Sequence, residues 1–354
     1  MMAGDGLLVR VRAPLGRLKA AQLIGLCDAA THHGNGLIDL TNRAALQLRG
    51  VSDQSHMPLL EQLIALSLIN PDPACEARRN IILNPDWSPG DDSHIIAKAL
   101  LARIDELPDL PAKMGIAIDA GPAPALSRTP ADFRIERSAG TTLLLRADGR
   151  DKGIATTTAQ AVDALIDLTR WFVATDGAAS GRMARHRATL PPGHDIAPAP
   201  PRPLMRTLAC APGPFHGIPF GQIHADALAA LVTDTGASAI RLTPWRGLIL
   251  EGSSAAPRHG PDDPLLRVDA CPGAPLCPQA SVATRDLAAR LAPHAKGSLH
   301  VSGCAKGCAR PAASDTVLTG REGRFDLARS ARAGSAPDRA ALDPDQIFAL
   351  FGAS

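Results

Sequence analysis

The chain has 354 residues, of which 45% are hydrophobic and 20% are charged, and its formal net charge is +2. This length suffices for two or three domains with their own cores, and the composition is that of a globular protein rather than a disordered chain. The small net charge predicts no strong attraction to nucleic acid or to a membrane surface, although positive charge can still be concentrated in one cleft.

The first residues, MMAGDGLLVRVRAPLG, lack the apolar core of a signal peptide. No run of about 18 apolar residues, the length that predicts a transmembrane helix, occurs in the sequence. We therefore expect a cytoplasmic protein. Seven cysteines in such a protein do not predict a disulfide framework. Three of them, Cys27, Cys75 and Cys210, are scattered, and we interpret them as small buried hydrophobic residues.

The first half of the chain predicts alternating helices and strands. A helix is expected over residues 17–31 and a strand pair over 38–50. The sequence Asn80-Ile-Ile-Leu-Asn is typical of a strand end, and Asp91 or Ser93 is expected to cap a helix that ends near Leu107. Strands near 114–119 and 141–146 and a helix over 156–173 follow.

The second half begins as a repeat of the first. Residues 187–219 contain nine prolines, which predicts a connector outside the core. Residues 240–252, IRLTPWRGLILEG, then match residues 38–50, IDLTNRAALQLRG, and Pro219-Phe-Gly-Gln-Ile matches Pro14-Leu-Gly-Arg-Leu. Each copy predicts a helix, here over 17–31 or 222–234, then a glycine-containing turn and a strand pair. That order is half of a ferredoxin-like α+β unit, and two halves are expected to pair into one sheet.

The repeat, the connector and the flanking stretches predict five segments. These are a ferredoxin-like half-repeat at 1–62, an α/β domain at 63–186, a proline-rich linker at 187–218, a second half-repeat at 219–258 and a second α/β domain at 259–354. In the last segment, strands are expected at 265–269 and 298–302, with a helix over 279–292 between them.

Four cysteines lie within 38 residues of this last segment, each pair just beyond a predicted strand: Cys271, Cys277, Cys304 and Cys308. Cofactors bind at the carboxyl ends of strands in α/β sheets, and four thiolates are the ligand set of a [4Fe–4S] cluster. Structural zinc is the first alternative, but it prefers cysteine pairs two to four residues apart, and C-x5-C is wider. Unliganded thiols are the second alternative.

The cysteine spacing inside a duplicated chain resembles the sulfite and nitrite reductase superfamily. The first half carries further family motifs, namely Thr41-Asn42-Arg43, Arg79-Asn80 and Leu110-Pro111-Ala112-Lys113. The resemblance implies a pseudo-twofold three-domain fold that mixes α+β and α/β units. It also implies a [4Fe–4S] cluster on the four cysteines, and a tetrapyrrole held by Arg43, Arg79, Asn80 and Lys113. Guanidinium groups suit carboxylates because they bind them through two parallel hydrogen bonds.

Two positions depart from the reductase pattern. Gly115 stands where a reductase has a second active-site lysine, and Lys306 lies inside the second cysteine pair. Reduction of sulfite or nitrite needs many protons and a dense positive pocket, so loss of a lysine weakens both. In these departures the chain is similar to one branch of the superfamily, the precorrin-3B synthases.

The resemblance to that branch implies that the bound tetrapyrrole is the substrate rather than a cofactor. Its members are monooxygenases of aerobic cobalamin biosynthesis, which use O₂ to hydroxylate precorrin-3A at C20 and close a γ-lactone. The resemblance implies precorrin-3A, O₂ and an external electron donor as partners. It also implies a mononuclear non-haem iron beside the [4Fe–4S] cluster, although no histidine triad is readable. The catalytic residues stay unassigned.

Two other functions remain open from the sequence. A ferredoxin-dependent sulfite or nitrite reductase would carry siroheme joined to the cluster through Cys308, and its purified form would show a strong Soret band. A non-enzymatic iron–sulfur or tetrapyrrole-binding sensor or carrier is less favoured, because the sequence has no nucleic-acid-reading module or basic stripe.

Overall fold

The computed structural model describes residues 2–353. Within them, no helix is long and apolar enough to cross a membrane. The helices are α1 (Ala20–His33), α2 (Asp53–Ala65), α3 (Pro73–Arg78), α4 (Asp92–Ala102), α5 (Ala161–Ala174), α6 (Gly177–Ser180), α7 (Leu204–Ala209), α8 (Ala225–Thr235), α9 (Arg285–Leu291) and α10 (Pro344–Phe351). The strands are β1 (Met2–Ala3), β2 (Gly6–Val11), β3 (Arg17–Lys19), β4 (Leu37–Leu40), β5 (Leu46–Val51), β6 (Ile81–Leu83), β7 (Ile116–Asp119), β8 (Phe133–Arg137), β9 (Leu143–Ala147), β10 (Gly153–Thr156), β11 (His194–Ile196), β12 (Phe215–Gly217), β13 (Gln222–His224), β14 (Ala239–Leu242), β15 (Gly247–Glu251), β16 (Val268–Ala270), β17 (Leu299–Ser302), β18 (Ser314–Arg321), β19 (Arg324–Ala331) and β20 (Arg339–Leu342).

The two half-repeats exchange a strand. The first sheet has the order β1-β2-β5-β4-β13, and the second has the order β12-β15-β14-β3. Strand β13 of the second copy thus pairs with β4 of the first, and β3 of the first copy pairs with β14 of the second. The expectation that the halves form one sheet is therefore corrected: they form two sheets, each completed by a strand from the other copy.

The two copies have the same backbone conformation at their matching turns. Leu15 and Phe220, which precede the exchanged strands, have φ angles of 56° and 57°. Ala44 and Arg246, at matching places in the two hairpins, have φ angles of 49° and 55°. Left-handed conformations are uncommon for residues with a side chain, so their recurrence at matching positions confirms the internal duplication that the sequence predicts.

The half-repeats share one hydrophobic core. It is built from the inward faces of their sheets and from α1, α2 and α8, with side chains such as Leu23, Leu26, Leu63, Leu228 and Ile240 fully buried. Each of these large aliphatic side chains contributes about 1.5–3 kcal/mol when it is removed from water.

The two α/β domains also share a topology. Strands β6, β7 and β8 are parallel neighbours, and β9 and β10 then pair antiparallel. Strands β16 to β20 repeat this order and these directions. The duplication therefore extends over the α/β domains, and it places the strand ends of β16 and β17 where the first domain has those of β6 and β7.

A charge-reversed pair distinguishes the two copies. Asp39 and Arg49 form an ion pair of 2.7 Å on β4 and β5, and Arg241 and Glu251 form one of 2.5 Å at the matching positions of β14 and β15. Arg241 is 4% exposed. Its guanidinium also donates to the carbonyl of Pro85 at 2.9 Å and lies 4.1 Å from the centre of the Trp87 ring. Arg241 therefore links the second half-repeat to the first α/β domain through these contacts.

Several predicted elements differ in detail from the structure. Asp91 is confirmed as the cap of α4, since its side chain accepts from the backbone N–H of His94 at 2.7 Å. The proline-rich connector is less irregular than expected, because it contains β11, which extends the six-stranded sheet, and β12, which pairs with β15. The interpretation of the scattered cysteines is correct only for Cys27, since Cys75 is half-buried and Cys210 is exposed.

Candidate functional site

The four clustered cysteines follow two neighbouring parallel strands. Cys271 comes directly after β16, and Cys304 lies two residues after β17. The backbone of Cys271 is tied to α9, because the Thr284 hydroxyl donates to its carbonyl at 2.5 Å. Because parallel strands end at the same edge of a sheet, both cysteine segments lie at that edge, as the sequence predicts.

Glycines let the two cysteine segments approach each other. The backbone N–H of Gly303 donates to the sulfur of Cys271 at 3.2 Å, which joins the two pairs directly. A Cβ atom at Gly303 would lie 2.6 Å from the side chain of Ala280, so no larger residue fits. Gly273 and Gly307, with φ angles of 68° and 62°, shape the two cysteine turns. Backbone N–H groups directed at sulfur are what a thiolate-bound anionic cluster requires.

The four clustered cysteines lie near one another but do not form a site for a single metal ion. Among residues 2–353, no group of three or more His, Cys, Asp or Glu side chains could hold a single metal ion. A [4Fe–4S] cluster does not need such convergence, since each iron takes one thiolate. Burial raises the pKa of the Cys308 thiol, Lys306 opposes that shift, and the other three cysteines add to it, which places those three thiols within electrostatic reach of Cys308.

A cleft of about 970 Å³ opens beside the cysteines. Both half-repeats and the second α/β domain line it. They contribute Thr41, Asn42 and Gln47 from the first copy, Phe220 and Trp245 from the second, and Cys271 and Cys308 from the cysteine segments. Ligand pockets span about 300–1,000 Å³, so this cleft is at the upper end of that range and has room for a large, flat ligand.

The cleft carries a larger net positive charge than the whole chain. Its lining includes five arginines and two aspartates, a formal balance of five minus two, or +3, against +2 for the whole chain: Arg49, Arg246, Arg267, Arg285, Arg310, Asp39 and Asp269. Asp269 binds both Arg246 and Arg310. Arg285 has an Nε that is buried without a hydrogen-bond partner among the described residues, and burial lowers its pKa. Among the arginines that line the cleft, Arg285 is thus the one whose guanidinium has a buried N–H donor without a partner among the described residues.

The basic residues expected from the resemblance lie elsewhere. Of Arg43, Arg79, Asn80 and Lys113, none is among the residues that line the large cleft. Arg79 is 8% exposed and donates to Glu76 at 2.7 Å and to the carbonyl of Arg12 at 2.6 Å. Asn80 is buried, and its amide donates to the carbonyl of Met114. Lys113 is exposed. Arg79 and Asn80 therefore have structural partners, and their assignment to substrate binding stays a prediction.

Arg43 belongs to a separate group of positive charges. Burial lowers its pKa, and the nearby guanidinium groups of Arg182, Arg10 and Arg12 lower it further, while Asp132 opposes them. Its neighbours Thr41 and Asn42 reach the cleft. The hairpin that carries the Thr-x-Arg motif is therefore part of the cleft wall, although Arg43 itself is not among the lining residues and interacts electrostatically with Asp132.

Gly115 has a structural reason to lack a side chain. Its N–H donates to Asp132 at 3.0 Å, and a Cβ atom there would lie 3.1 Å from the amide nitrogen of Asn80 and 3.2 Å from its carbonyl oxygen. That spacing is tight for any side chain, so a lysine at 115 would require Asn80 to shift by a few tenths of an ångström. The glycine at 115 thus suits the close packing against Asn80.

The matching position of the first α/β domain is filled by its own side chains. Asn84 directly follows β6, Asp119 ends β7, and the two are hydrogen-bonded at 2.7 Å. Asp119 also accepts from the backbone N–H groups of Ala125 and Leu126, each at 2.7 Å. Burial raises the pKa of Asp119 to about 6, against these hydrogen bonds. The first copy of the site is therefore a closed polar network, whereas the second carries the cysteines.

This network should make the stability of the protein depend on pH. Because the pKa of Asp119 in the folded protein is above the ordinary aspartate value of 3.8, folding favours the protonated form. Its contribution is full below about pH 4 and is lost as the pH rises through about 6. About two pKa units correspond to roughly 3 kcal/mol. We expect Asp119→Asn to remove this part of the change in the free energy of unfolding between pH 4 and pH 7, measured by urea titration. An unchanged difference between the two pH values would contradict it.

Comparisons with known proteins agree with this architecture. Residues 1–66 match the family model of the nitrite/sulfite reductase ferredoxin-like half domain. The solved structure of the Mycobacterium tuberculosis NirA protein aligns with 96% of this chain and 78% of that one, with a TM-score of 0.56 at 16% identity. That match shows a shared fold, and it confirms the predicted sulfite and nitrite reductase-like fold class.

Two sequence relatives show to which family within this fold class the chain belongs. The hemoprotein beta-component of an NADPH sulfite reductase from Staphylococcus saprophyticus is 36% identical, but over only 22% of this chain and 14% of that protein. A precorrin-3B synthase from Sinorhizobium sp is 32% identical over 95% of this chain and 82% of that protein. The chain therefore belongs to the precorrin-3B synthase family.

Proposed function

We propose that the protein is an O₂-dependent monooxygenase that converts precorrin-3A to precorrin-3B, by hydroxylation at C20 and closure of a γ-lactone. The observation that carries the proposal is the match to a precorrin-3B synthase over 95% of the chain. The basic cleft beside the cysteines supports it, because precorrin-3A is a macrocycle edged with carboxylates.

The cleft arginines are proposed to bind these carboxylates. Arg285 and Arg267 are the best placed, since Asp269 already neutralises part of the charge of Arg246 and Arg310. Phe220 and Trp245 add aromatic surface to the same walls, which suits the face of a macrocycle. The ring would thus lie across the junction of the two half-repeats, with its carboxylates toward the arginines. Arg43, Arg79, Asn80 and Lys113 remain proposed contacts for any part of the substrate that extends past Thr41 and Asn42.

Cys271, Cys277, Cys304 and Cys308 are proposed to hold a [4Fe–4S] cluster. When bound, the cluster would supply single electrons taken from an external donor. Cys271 and Cys308 line the cleft themselves, so the distance from the cluster site to a ligand in the cleft is short. One atom of O₂ goes to C20 and the other leaves as water, which takes up two electrons and two protons.

The mononuclear iron implied by the resemblance has no ligand set in the structure. Residues 2–353 contain no group of three or more His, Cys, Asp or Glu side chains that could hold one ion. The residues present therefore do not fit this second iron, and the proposed reaction includes no step on it.

Anaerobic purification followed by turnover tests the proposed function. We expect the purified protein to show the broad visible absorbance of an iron–sulfur cluster, with four iron and four sulfide per chain. Addition of precorrin-3A, O₂ and a reductant should give a product heavier by one oxygen atom, and ¹⁸O₂ should place one labelled atom in it.

A siroheme reductase would give a different result. A strong Soret band that stays with the purified protein, together with reduction of sulfite or nitrite, would overturn the proposal. An unlabelled product from ¹⁸O₂ would also contradict it, because the added oxygen would then come from water.

A further inference from the structure

His300 is a buried side chain with unused hydrogen-bonding groups. It lies in the middle of β17, four residues before Cys304, and is fully buried. Neither of its ring nitrogens has a hydrogen-bond partner among the described residues. Buried polar atoms without partners are rare in folded proteins, and each one calls for a missing partner.

The strand directs His300 away from the hydrophobic core. Successive side chains of a strand point to opposite faces of the sheet. Leu299 and Val301 pack into the core of the second α/β domain. His300 and Ser302 therefore share the other face, and the hydroxyl of Ser302 already donates to the backbone carbonyl of Cys304 at 2.7 Å. This face of β17 thus supports the cysteine segment.

The nitrogen-bearing edge of the ring is turned toward the second cysteine pair. A Cβ atom built at Gly307 would lie 3.7 Å from the Cε1 atom of His300. Cε1 is bonded to both ring nitrogens, so both lie at the edge nearest Gly307. Gly307 directly precedes Cys308. The imidazole therefore lies beneath the turn between Cys304 and Cys308.

We propose that His300 donates an N–H hydrogen bond to the iron–sulfur site, at the sulfur of Cys308 or at an inorganic sulfide beside it, and thereby sets the reduction potential of the cluster. This rests on the cluster assignment made under the proposed function. A neutral imidazole has one N–H donor. Hydrogen bonds to the sulfurs are among the factors that set the potential of such clusters.

The direction of the effect follows from charge. One electron added to the oxidised 2+ cluster gives the 1+ form, so the sulfurs become more negative. A donor aimed at them stabilises the reduced form more than the oxidised one, and its loss should favour the oxidised form. His300 is thus a tuning residue rather than a catalytic one, since no reacting atom need touch it.

Potentiometric titration with dithionite, followed by EPR, tests the proposal on the full-length, cluster-loaded chain. We expect His300→Leu to keep four iron and four sulfide per chain. At the wild-type midpoint potential, the ratio of reduced to oxidised cluster should fall by about tenfold, which is about 59 mV for a one-electron couple. His300→Gln, which restores an N–H donor, should return the ratio toward the wild-type value.

The chain offers a matched control. His216 is also buried, 4% exposed, and its Nε2 has no partner among the described residues. It lies on β12 in the second half-repeat, so His216→Leu should leave the midpoint potential unchanged. If His300→Leu does not fold, His300→Phe fills the same space without a donor and replaces it.

The possible outcomes separate the two hypotheses. A wild-type chain without an iron–sulfur cluster would overturn the proposed function itself. A loaded wild type with an unchanged midpoint in His300→Leu would overturn only the role of His300. Loss of the cluster in both apolar variants, with normal content in His300→Gln, would mean that the N–H holds the cluster in place, and this too would overturn the tuning role.

Discussion

Replacement of Cys304 by serine should remove the iron–sulfur cluster and with it all turnover. Serine offers a hydroxyl in place of a soft thiolate, and such clusters are held by thiolates. Cys304 lies two residues after β17, and the Ser302 hydroxyl fixes its backbone by donating to its carbonyl. Iron and sulfide analysis of the anaerobically purified variant, with its visible spectrum, measures the effect.

An exposed cysteine provides the control for this experiment. Cys210 directly follows α7 and is exposed, so Cys210→Ser should keep the full iron and sulfide content. A Cys304→Ser variant with four iron per chain and an unchanged EPR signal would refute the ligand assignment. Zinc in place of iron in the wild type, with no acid-labile sulfide, would instead favour the structural zinc site.

Arg285→Gln should weaken the binding of precorrin-3A roughly ten- to hundredfold. Its guanidinium lines the cleft, has a buried Nε without a described partner, and already donates one bond to Gln222. A hydrogen bond to a charged group contributes about 1.5–3 kcal/mol, and glutamine keeps the polar character but loses the charge. Trp245 lies in the cleft wall, so quenching of tryptophan fluorescence under anaerobic conditions measures the dissociation constant.

Helix α9 carries a second arginine that serves as the control. Arg290 lies over the ring of Phe348 at 3.7 Å and is not among the residues that line the cleft. Arg290→Gln should bind precorrin-3A as the wild type does, and both variants should keep the iron content of the wild type. Equal loss of affinity in the two variants would show that net charge, rather than a contact in the cleft, governs binding.

Local patterns in the sequence predict the framework of the site well. The repeated segments at 38–50 and 240–252 are the hairpins β4–β5 and β14–β15, and the strand expected at 298–302 is β17 within one residue. Helix α9 is shorter than the predicted 279–292, because residues 271–284 form the turns around the first cysteine pair. These agreements rest on periodicity and on glycine and proline positions, which are local properties.

Non-local pairing explains what the sequence does not predict. The exchange of β3 and β13 joins residues about two hundred positions apart, and nothing in either strand of three residues marks its partner. The cleft arginines at 49, 246, 267, 285 and 310 are scattered, so each one resembles an ordinary surface residue. Only Arg49 and Arg246 carry a signal, since they lie in the repeated hairpin segments, where the other copy has Glu251 and Ala44.

The strand exchange indicates that this fold could arise by fusion of two copies of one half-repeat. A single half-repeat lacks the strand that completes its sheet, so two separate copies would have to swap β3 and β13 across a twofold axis, as in a domain-swapped homodimer. In such a dimer both copies would carry the same residues. When the two copies are joined in one chain, their sequences can diverge. The ion pair of Asp39 and Arg49 in the first copy corresponds to the charge-reversed pair of Arg241 and Glu251 in the second. Fusion likewise lets the strand ends of the first α/β domain carry the hydrogen-bonded pair Asn84 and Asp119, while the matching strand ends of the second domain carry the cysteines, of which Cys271 and Cys308 line the cleft.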